Sequence, residues 1–308
     1  MSVQSEEAIS LACKNIEVCN IANAVSVLQD SLVADLENNS LLLGVKYCNF
    51  WNDILNGLSS LSFFEQGEVL LGQWKQFSVL IKEENCSESI LYSFRKGIFS
   101  LALECYSKAN DEKDARLKSE ILRKIGLCYK KLGSFEVALQ YLQDANVTLA
   151  GQAAVIAEMA DCYALCGETK TAKMLFKEAF YTDAQKIEFC FLDSPLILVL
   201  VDKVQAMGYT GAVLQEWVAV YGVVFGVFNV KRVLRSQEVL RLKQEIYAKE
   251  SELKDPSNNR ELILPRLANL YFWLLDHYSL AKEGAAKINE VLLKLKILDA
   301  DLYKKFAN

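Results

Sequence analysis

The apolar residues of this chain recur mainly at helical spacing. Leu122, Ile125 and Tyr129 fall on one stripe of a helix, since residues three or four apart share a helix face. Gly133 then marks a predicted helix end, where a residue with positive φ is commonly needed. The 308 residues include only 3 prolines and 14 glycines, which favours helices with short loops over many short strands. The pattern predicts an all-α protein.

The same order of residues returns 34 positions later, so residues 119–150 and 153–184 are two copies of one unit. The matched pairs are Leu122 and Ile156, Ile125 and Met159, Gly126 and Ala160, Tyr129 and Tyr163, Gly133 and Gly167, Ala138 and Ala172, Leu142 and Phe176, and Ala145 and Ala179. Each copy is predicted to be two antiparallel helices with small residues at their closest approach. One such hairpin cannot bury its own apolar face, so the copies are expected to stack.

This arrangement resembles the tetratricopeptide repeat family. The shared features are a large residue followed by a small one, a Tyr three residues later, a Gly at the turn and an Ala–large–Ala stripe. Two departures are Leu122 and Ile156 where a Trp is frequent, and Ala150 and Ala184 where a Pro is frequent. The resemblance implies an α-solenoid of stacked antiparallel helix hairpins that forms a right-handed superhelix.

Weaker copies flank this pair and set the predicted domain organisation. Residues 1–225 are predicted to form the helical array, with five hairpins between residues 5 and 225 and an insertion near Lys186–Asp193. Residues 226–308 are predicted to be a helical segment that caps or extends the array. Within that segment we expect one continuous charged helix over Val230–Lys254, stopped by Asp255 and Pro256. A final helix pair is expected over residues 260–277 and 280–304.

In the tetratricopeptide family the first helix of each hairpin lines a concave groove that holds a partner's peptide or helix. The resemblance implies that the corresponding residues here are Glu120, Arg123, Leu127, Lys130, Lys131, Ala154, Ala157, Asp161, Ala164 and Leu165. The first five are basic in balance, while the last five are small and apolar with one acid. A mixed groove of this kind suits a helix or an apolar segment that carries acidic residues. The alternative is that Arg123, Lys130 and Lys131 are a solvated face, and that Asp161 is an ordinary surface charge.

Candidate chemistry is sparse. His277 is the only histidine, and its place near a predicted helix end makes a cap or surface position the ordinary expectation. No phosphate-cradling glycine motif and no C-x-x-C pair is present, so we predict no enzyme activity, no cofactor and no metal site. The net charge of −5 comes without a basic stripe, so nucleic acid is not expected as a partner.

Nine scattered cysteines fit reduced core thiols of a cytoplasmic protein, with Cys128 and Cys162 at apolar helix positions. The N-terminus has no signal-peptide pattern, and the apolar run Trp217–Phe228 is too short to span a bilayer. The GxxxG formed by Gly222 and Gly226 is interpreted as close helix packing.

The sequence therefore predicts a protein-interaction scaffold and leaves homo-oligomerisation open. A carrier of a small apolar ligand is the alternative, because Pro195–Phe228 is rich in Val, Gly and aromatic residues that would suit a pocket. An enzyme with unrecognised machinery is the less favoured third reading.

Overall fold

The computed structural model describes residues 3–82, 84, 86–109 and 112–307, and within them it has helices and no strand. The all-α prediction is confirmed for these residues. The helices form two compact units, Met1–Leu149 and Ala150–Asn308. This grouping differs from the predicted division between residues 225 and 226.

The described residues of the first unit form seven α-helices. They are α1 (Val3–Glu17), α2 (Ile21–Ala34), α3 (Asn39–Gly57), α4 (Phe63–Lys82), α5 (Glu88–Lys108), α6 (Ala115–Lys131) and α7 (Phe135–Thr148). Neighbouring helices pack against each other, and α1 also packs against α5. The core of α3, α4 and α5 is largely aromatic, with the Phe77 ring 5.2–5.5 Å from those of Tyr47, Trp51, Trp74 and Phe94.

Over residues 150–307 the second unit has eight α-helices. They are α8 (Ala153–Leu165), α9 (Thr169–Asp183), α10 (Pro195–Gln205), α11 (Gly211–Val224), α12 (Ser236–Glu252), α13 (Arg260–Leu280), α14 (Ala285–Leu298) and α15 (Ala300–Ala307). The predicted insertion before α10 contains two short 3₁₀ turns, Ala184–Lys186 and Phe189–Phe191. Helix α13 is buried on most of its circumference and packs against α11, α12 and α14. Residues after 225 therefore share one core with α9, α10 and α11.

Both repeat copies fold as the predicted hairpins, α6 with α7 and α8 with α9, and both turn in the same way. Gly133 and Gly167 have φ of 86° and 85°. In each turn the N–H after the glycine donates to the carbonyl five residues back, at 2.9 Å and 2.8 Å. The glycine N–H donates to the carbonyl three residues back, at 2.9 Å and 3.1 Å. This pair of bonds is the Schellman motif, which satisfies the last carbonyls of a helix.

The hairpin of α1 and α2 uses the same turn with a cysteine at the glycine position. Cys19 has φ of 57°, its N–H donates to Ile16 at 2.9 Å, and the Asn20 N–H donates to Asn15 at 2.9 Å. A side chain with a Cβ is strained in this left-handed conformation, by about 1–2 kcal/mol. Ala12, Ala24 and Leu28 of this hairpin are nevertheless fully buried.

Cys19→Gly is therefore expected to raise the free energy of unfolding by about 1 kcal/mol, since glycine adopts positive φ without the Cβ clash. Urea unfolding followed by circular dichroism measures the change. Gly133→Ala, at the equivalent position of the α6–α7 turn, is the matched reverse change and should lower stability by a similar amount. A loss of stability in Cys19→Gly would contradict the assignment of strain to this turn.

The charged helix predicted over Val230–Lys254 is shorter than expected and begins at Ser236. Residues 229–235, which precede this helix, are not helical. Side chains from α9 and α13 bind the backbone of this segment. The Lys177 ammonium donates to the Val230 carbonyl at 3.3 Å, and the Leu234 N–H donates to His277 Nδ1 at 3.3 Å. His277 is therefore a buried residue that holds this segment, and the expectation of a cap or surface position is wrong.

Two other expectations are refined. A single final helix is expected over residues 280–304, but the structure has two helices there, α14 and α15. The helix is interrupted at Asp299, because its carboxylate accepts the N–H groups of Asp301 and Leu302 at 3.0 Å and 2.8 Å. The GxxxG does mark close packing, but the partner of Gly222 is the Phe228 ring and not a second helix. A Cβ on Gly222 would lie 2.2 Å from the Phe228 side chain.

Candidate functional site

Five of the predicted groove residues lie on α6. Leu127 is fully buried, and Arg123, Lys130 and Lys131 are also buried, with 4%, 1% and 7% of their surface exposed. Only Glu120 is partly exposed. A solvated face therefore does not describe Arg123, Lys130 and Lys131. Their role as partner contacts stays a prediction.

Glu120 is the centre of a charge network within the first unit. Its carboxylate accepts two hydrogen bonds from the Arg123 guanidinium, at 2.8 Å and 2.6 Å, and lies 3.6 Å from the Lys124 ammonium. Lys124 also pairs with Glu68 of α4 at 3.4 Å, and Glu68 accepts from Tyr106 of α5 at 2.6 Å. Burial raises the pKa of Glu120, but the hydrogen bonds and charges of Arg123 and Lys124 outweigh it and hold that pKa below its ordinary value.

The other five predicted residues lie on one face of α8. Ala157 is buried, and Ala154, Ala164 and Leu165 are partly exposed. These three are the members of the predicted set on α8 that retain accessible surface. Sequence reasoning placed them on a common stripe by their helical spacing, and the helix does carry them there.

Asp161, the fifth residue of this face, is fully buried and is not a surface charge. One carboxylate oxygen accepts the Asp193 N–H and the other accepts the Ser194 N–H, both at 2.9 Å. Ser194 is the N-cap of α10, so Asp161 satisfies backbone donors at the start of that helix and lies in its positive dipole. The prediction of a solvated acid is wrong because the insertion before α10 folds back over α8.

The apolar stretch Pro195–Phe228 forms α10 and α11 and mostly packs into the core of the second unit. One part of it lines a cavity of about 400 Å³ together with the start of α13. Tyr209 and Trp217 stack there with their ring centroids 4.9 Å apart, and Val213 and Leu264 complete the apolar wall. Arg260 and Glu261 supply the polar rim.

Sequence reasoning missed several buried charges in the second unit, among them Lys177 and Glu216. Lys177 on α9 is 3% exposed, and Glu216 on α11 is 4% exposed. The available signal for Glu216 is that it is the only charged residue of the largely apolar helix α11. Nothing local marks Lys177, because its partner Asp276 is 99 residues away in the chain.

Several features bear on the type of site. None of the nine cysteines, all of which lie among the described residues, forms a disulfide, and Cys128 and Cys162 are fully buried as predicted. Among the described residues, no three His, Cys, Asp or Glu side chains gather as a metal ion would require. None of the described helices has both the length and the apolar character needed to cross a bilayer.

Comparison with known proteins adds no further assignment: no protein-family model matches this chain, and no curated protein sequence matches it.

Proposed function

We propose that this chain is a protein-interaction scaffold of the tetratricopeptide type, which binds a peptide or helix of a partner protein through the first helices of its hairpins. A right-handed α-solenoid of stacked hairpins is part of the same proposal. The activity is binding without catalysis, and the compartment is the cytoplasm, where nine cysteine thiols outside any disulfide stay reduced.

The observation that carries the proposal is the equivalence of the α6–α7 and α8–α9 hairpins. Their turns match hydrogen bond by hydrogen bond. Their second helices bury the same stripe, since Ala138, Leu142 and Ala145 are fully buried, as are the residues 34 positions later, Ala172, Phe176 and Ala179. Arrays of repeats built in this way form extended concave surfaces that serve as binding sites.

The contact surface proposed on α8 consists of Ala154, Ala164 and Leu165. Small side chains let the backbone of a partner approach closely, and Leu165 offers apolar area to an amphipathic helix. Within the first unit, Glu120 on α6 is proposed as a separate, partly exposed polar contact. Arg123 and Lys124 pair with Glu120, so their proposed role is to hold that carboxylate in place.

The test has two steps. The immobilised full chain is used to capture proteins from a lysate of the source cells, and the enriched protein is then purified and titrated calorimetrically. We expect one-to-one binding, and we expect the double change Ala154→Arg and Ala164→Arg to weaken it at least tenfold, or about 1.4 kcal/mol. Bulky charged side chains on this face would obstruct a docked helix.

Val147→Arg is the matched control, because Val147 lies on the second helix α7 and is 84% exposed. It should leave binding unchanged. Circular dichroism melting must show that both variants fold. Equal affinity of the α8 double variant and the wild type would move the binding surface elsewhere, and a repeated absence of any enriched protein would count against the scaffold.

A carrier of a small apolar ligand is the second candidate, and the cavity beside Tyr209 and Trp217 favours it. Its 400 Å³ lies in the range of small-molecule pockets, and two stacked rings suit a flat apolar ligand. Native mass spectrometry of the purified chain would then show a retained mass that Trp217→Ala abolishes. A spectrum with the bare chain mass alone would count against the carrier.

A further inference from the structure

A second pocket in the Ala150–Asn308 unit has a volume of about 450 Å³ and lies where α9 and α12 end, beside α11 and the start of α13. We call it the acidic pocket. Its charged lining residues are the carboxylates Asp183, Glu216, Glu245 and Glu252 and the cations Lys249 and Arg266. The volume is within the range of small-molecule sites, and the lining has an excess of negative charge.

Both cations of the acidic pocket are already paired. Arg266 donates to the Glu245 carboxylate through Nε at 3.0 Å and through a terminal nitrogen at 2.6 Å, and its other terminal nitrogen donates to the Phe180 carbonyl at 3.2 Å. Lys249 pairs with Glu252 at 2.7 Å. Among the described residues, Asp183 and Glu216 are therefore the two carboxylates of the pocket without a basic partner at bonding distance.

Glu216 is the unusual member, since only 4% of its surface is exposed. Gln185 donates to its Oε1 at 3.2 Å, whereas Oε2 is buried and has no hydrogen-bond partner among the described residues. A buried carboxylate oxygen without a donor is costly, and folded proteins satisfy nearly all such groups. Glu216 is one of the residues that line the pocket, so a cation bound there is placed to supply the missing donor.

The backbone and the apolar lining of the pocket also favour a cation that carries an alkyl stem. The last turns of α9 and α12 contribute Asp183 and Glu252, and helix C-termini carry partial negative charge that attracts cations. Two helix starts lie at the pocket among the described residues, and both are capped. The Asn259 side chain accepts the Glu261 N–H at 3.0 Å at the start of α13, and one Asp183 carboxylate oxygen accepts the Gln185 N–H at 3.1 Å at the short 3₁₀ turn. Leu262 and Ile263 provide an apolar wall, against which an alkyl stem can pack while its charged head is bound.

We propose that the acidic pocket binds one protonated alkylamine or guanidinium group, with Glu216 Oε2 and Asp183 as acceptors and Leu262 and Ile263 against its alkyl stem. This chemistry belongs both to free small amines and to the Lys and Arg side chains of proteins. The acidic pocket does not include the residues proposed as the α8 surface, so its test is independent of the test of the scaffold function.

The titration of Glu216 gives a first prediction. Burial raises the pKa of its carboxyl above the ordinary 4.5, with Asp183 acting in the same direction and Arg266, Lys249 and the Gln185 hydrogen bond opposing them. Above the folded-state pKa the buried charge lowers stability, and below 4.5 the group is protonated in both folded and unfolded states. Glu216→Gln should therefore raise the urea midpoint at pH 7, with a gain that disappears as the pH falls below 4.5. A loss of stability at pH 7 would contradict it.

Calorimetric titration of the full chain at pH 7 tests the binding itself. The probes are spermidine, N-acetyl-lysine methylamide and N-acetyl-arginine methylamide, and tetramethylammonium, which has no N–H donor, is the control cation. We expect a dissociation constant below about 1 mM for at least one N–H probe. Glu216→Gln and Asp183→Asn should each weaken it about tenfold or more, because a charged hydrogen bond is lost. Glu104→Gln, which removes an exposed charge in the first unit, should change nothing.

The probes separate the sources of the ligand. Tight binding of spermidine alone indicates a free polyamine, whereas binding of the capped amino acids indicates a side chain of another protein, and either result supports the site. The proposal is overturned if no N–H probe binds up to about 10 mM. It is also overturned if Glu216→Gln and Asp183→Asn both bind like the wild type, or if tetramethylammonium binds as well as the N–H probes.

Discussion

Asp276→Leu is expected to lower the free energy of unfolding by about 3–5 kcal/mol, the largest effect of any single change considered for this chain. Asp276 on α13 forms an ion pair with the Lys177 ammonium of α9, which is 3% exposed. Lys177 also lies over the Trp273 ring, 5.0 Å from its centroid. Removal of the carboxylate would leave a buried ammonium with one carbonyl and a ring as its remaining partners. Urea unfolding at pH 7 measures the loss.

Two further variants test whether the buried charge is the cause. The double change Lys177→Met and Asp276→Leu should recover much of the loss, because an apolar pair of similar volume needs no charge compensation. Lys231→Met should cost less than about 1 kcal/mol, since Lys231 pairs with Asp276 at 3.0 Å but is 47% exposed. If Asp276→Leu costs as little as Lys231→Met, the Lys177 ammonium reaches water in solution.

Gly97→Ala is expected to lower the free energy of unfolding by about 3 kcal/mol, at the upper end of overpacking effects. Gly97 lies on α5 where that helix crosses the end of α1. A Cβ there would be 2.3 Å from the Ile16 carbonyl oxygen and 3.4 Å from Glu17 Cα. Both are backbone atoms, which cannot rotate away as a side chain can, so the two helices would have to separate. Urea unfolding again provides the measurement.

Gly72→Ala is the matched control for this change. Gly72 lies in the neighbouring helix α4, and a Cβ added there would meet no atom within 4 Å. Alanine should therefore stabilise the chain by about 0.5–1 kcal/mol through its higher helix propensity. Opposite signs for the two substitutions would confirm the close crossing of α1 and α5. A stabilising effect of Gly97→Ala would show that the crossing is looser than the structure indicates.

Asp161 and Gly133 show which structural features can be predicted from the sequence and which cannot. Gly133 was predicted to end a helix with positive φ, and it does so, because the Schellman turn is made within six consecutive residues. The helical spacing places Asp161 on the correct helix face, but the expectation that its carboxylate is exposed to solvent is wrong. Its partners are the N–H groups of Asp193 and Ser194, more than 30 residues later, and no local pattern indicates that the insertion folds back over α8.

The candidate sites divide in the same way. Ala154, Ala164 and Leu165 follow from the helical period and the repeat register. Glu216 could be recognised in the sequence only as an isolated acid, because its unpartnered oxygen depends on a pocket assembled from four helices. The segment 230–235, which the charge pattern predicts to be the start of the helix Val230–Lys254, is not helical. Its backbone instead binds His277 and Lys177, which lie on other helices.

By itself the sequence determined the helical class, the hairpin repeat of 34 residues and the turns that close it, since these depend on side-chain period and backbone conformation over short stretches. Only the tertiary structure decided which charges are buried, which are paired and which face a pocket. The energy of a charged group depends on the atoms that exclude water from it, and here those atoms come from segments distant in the chain, as with Lys177 and Asp276.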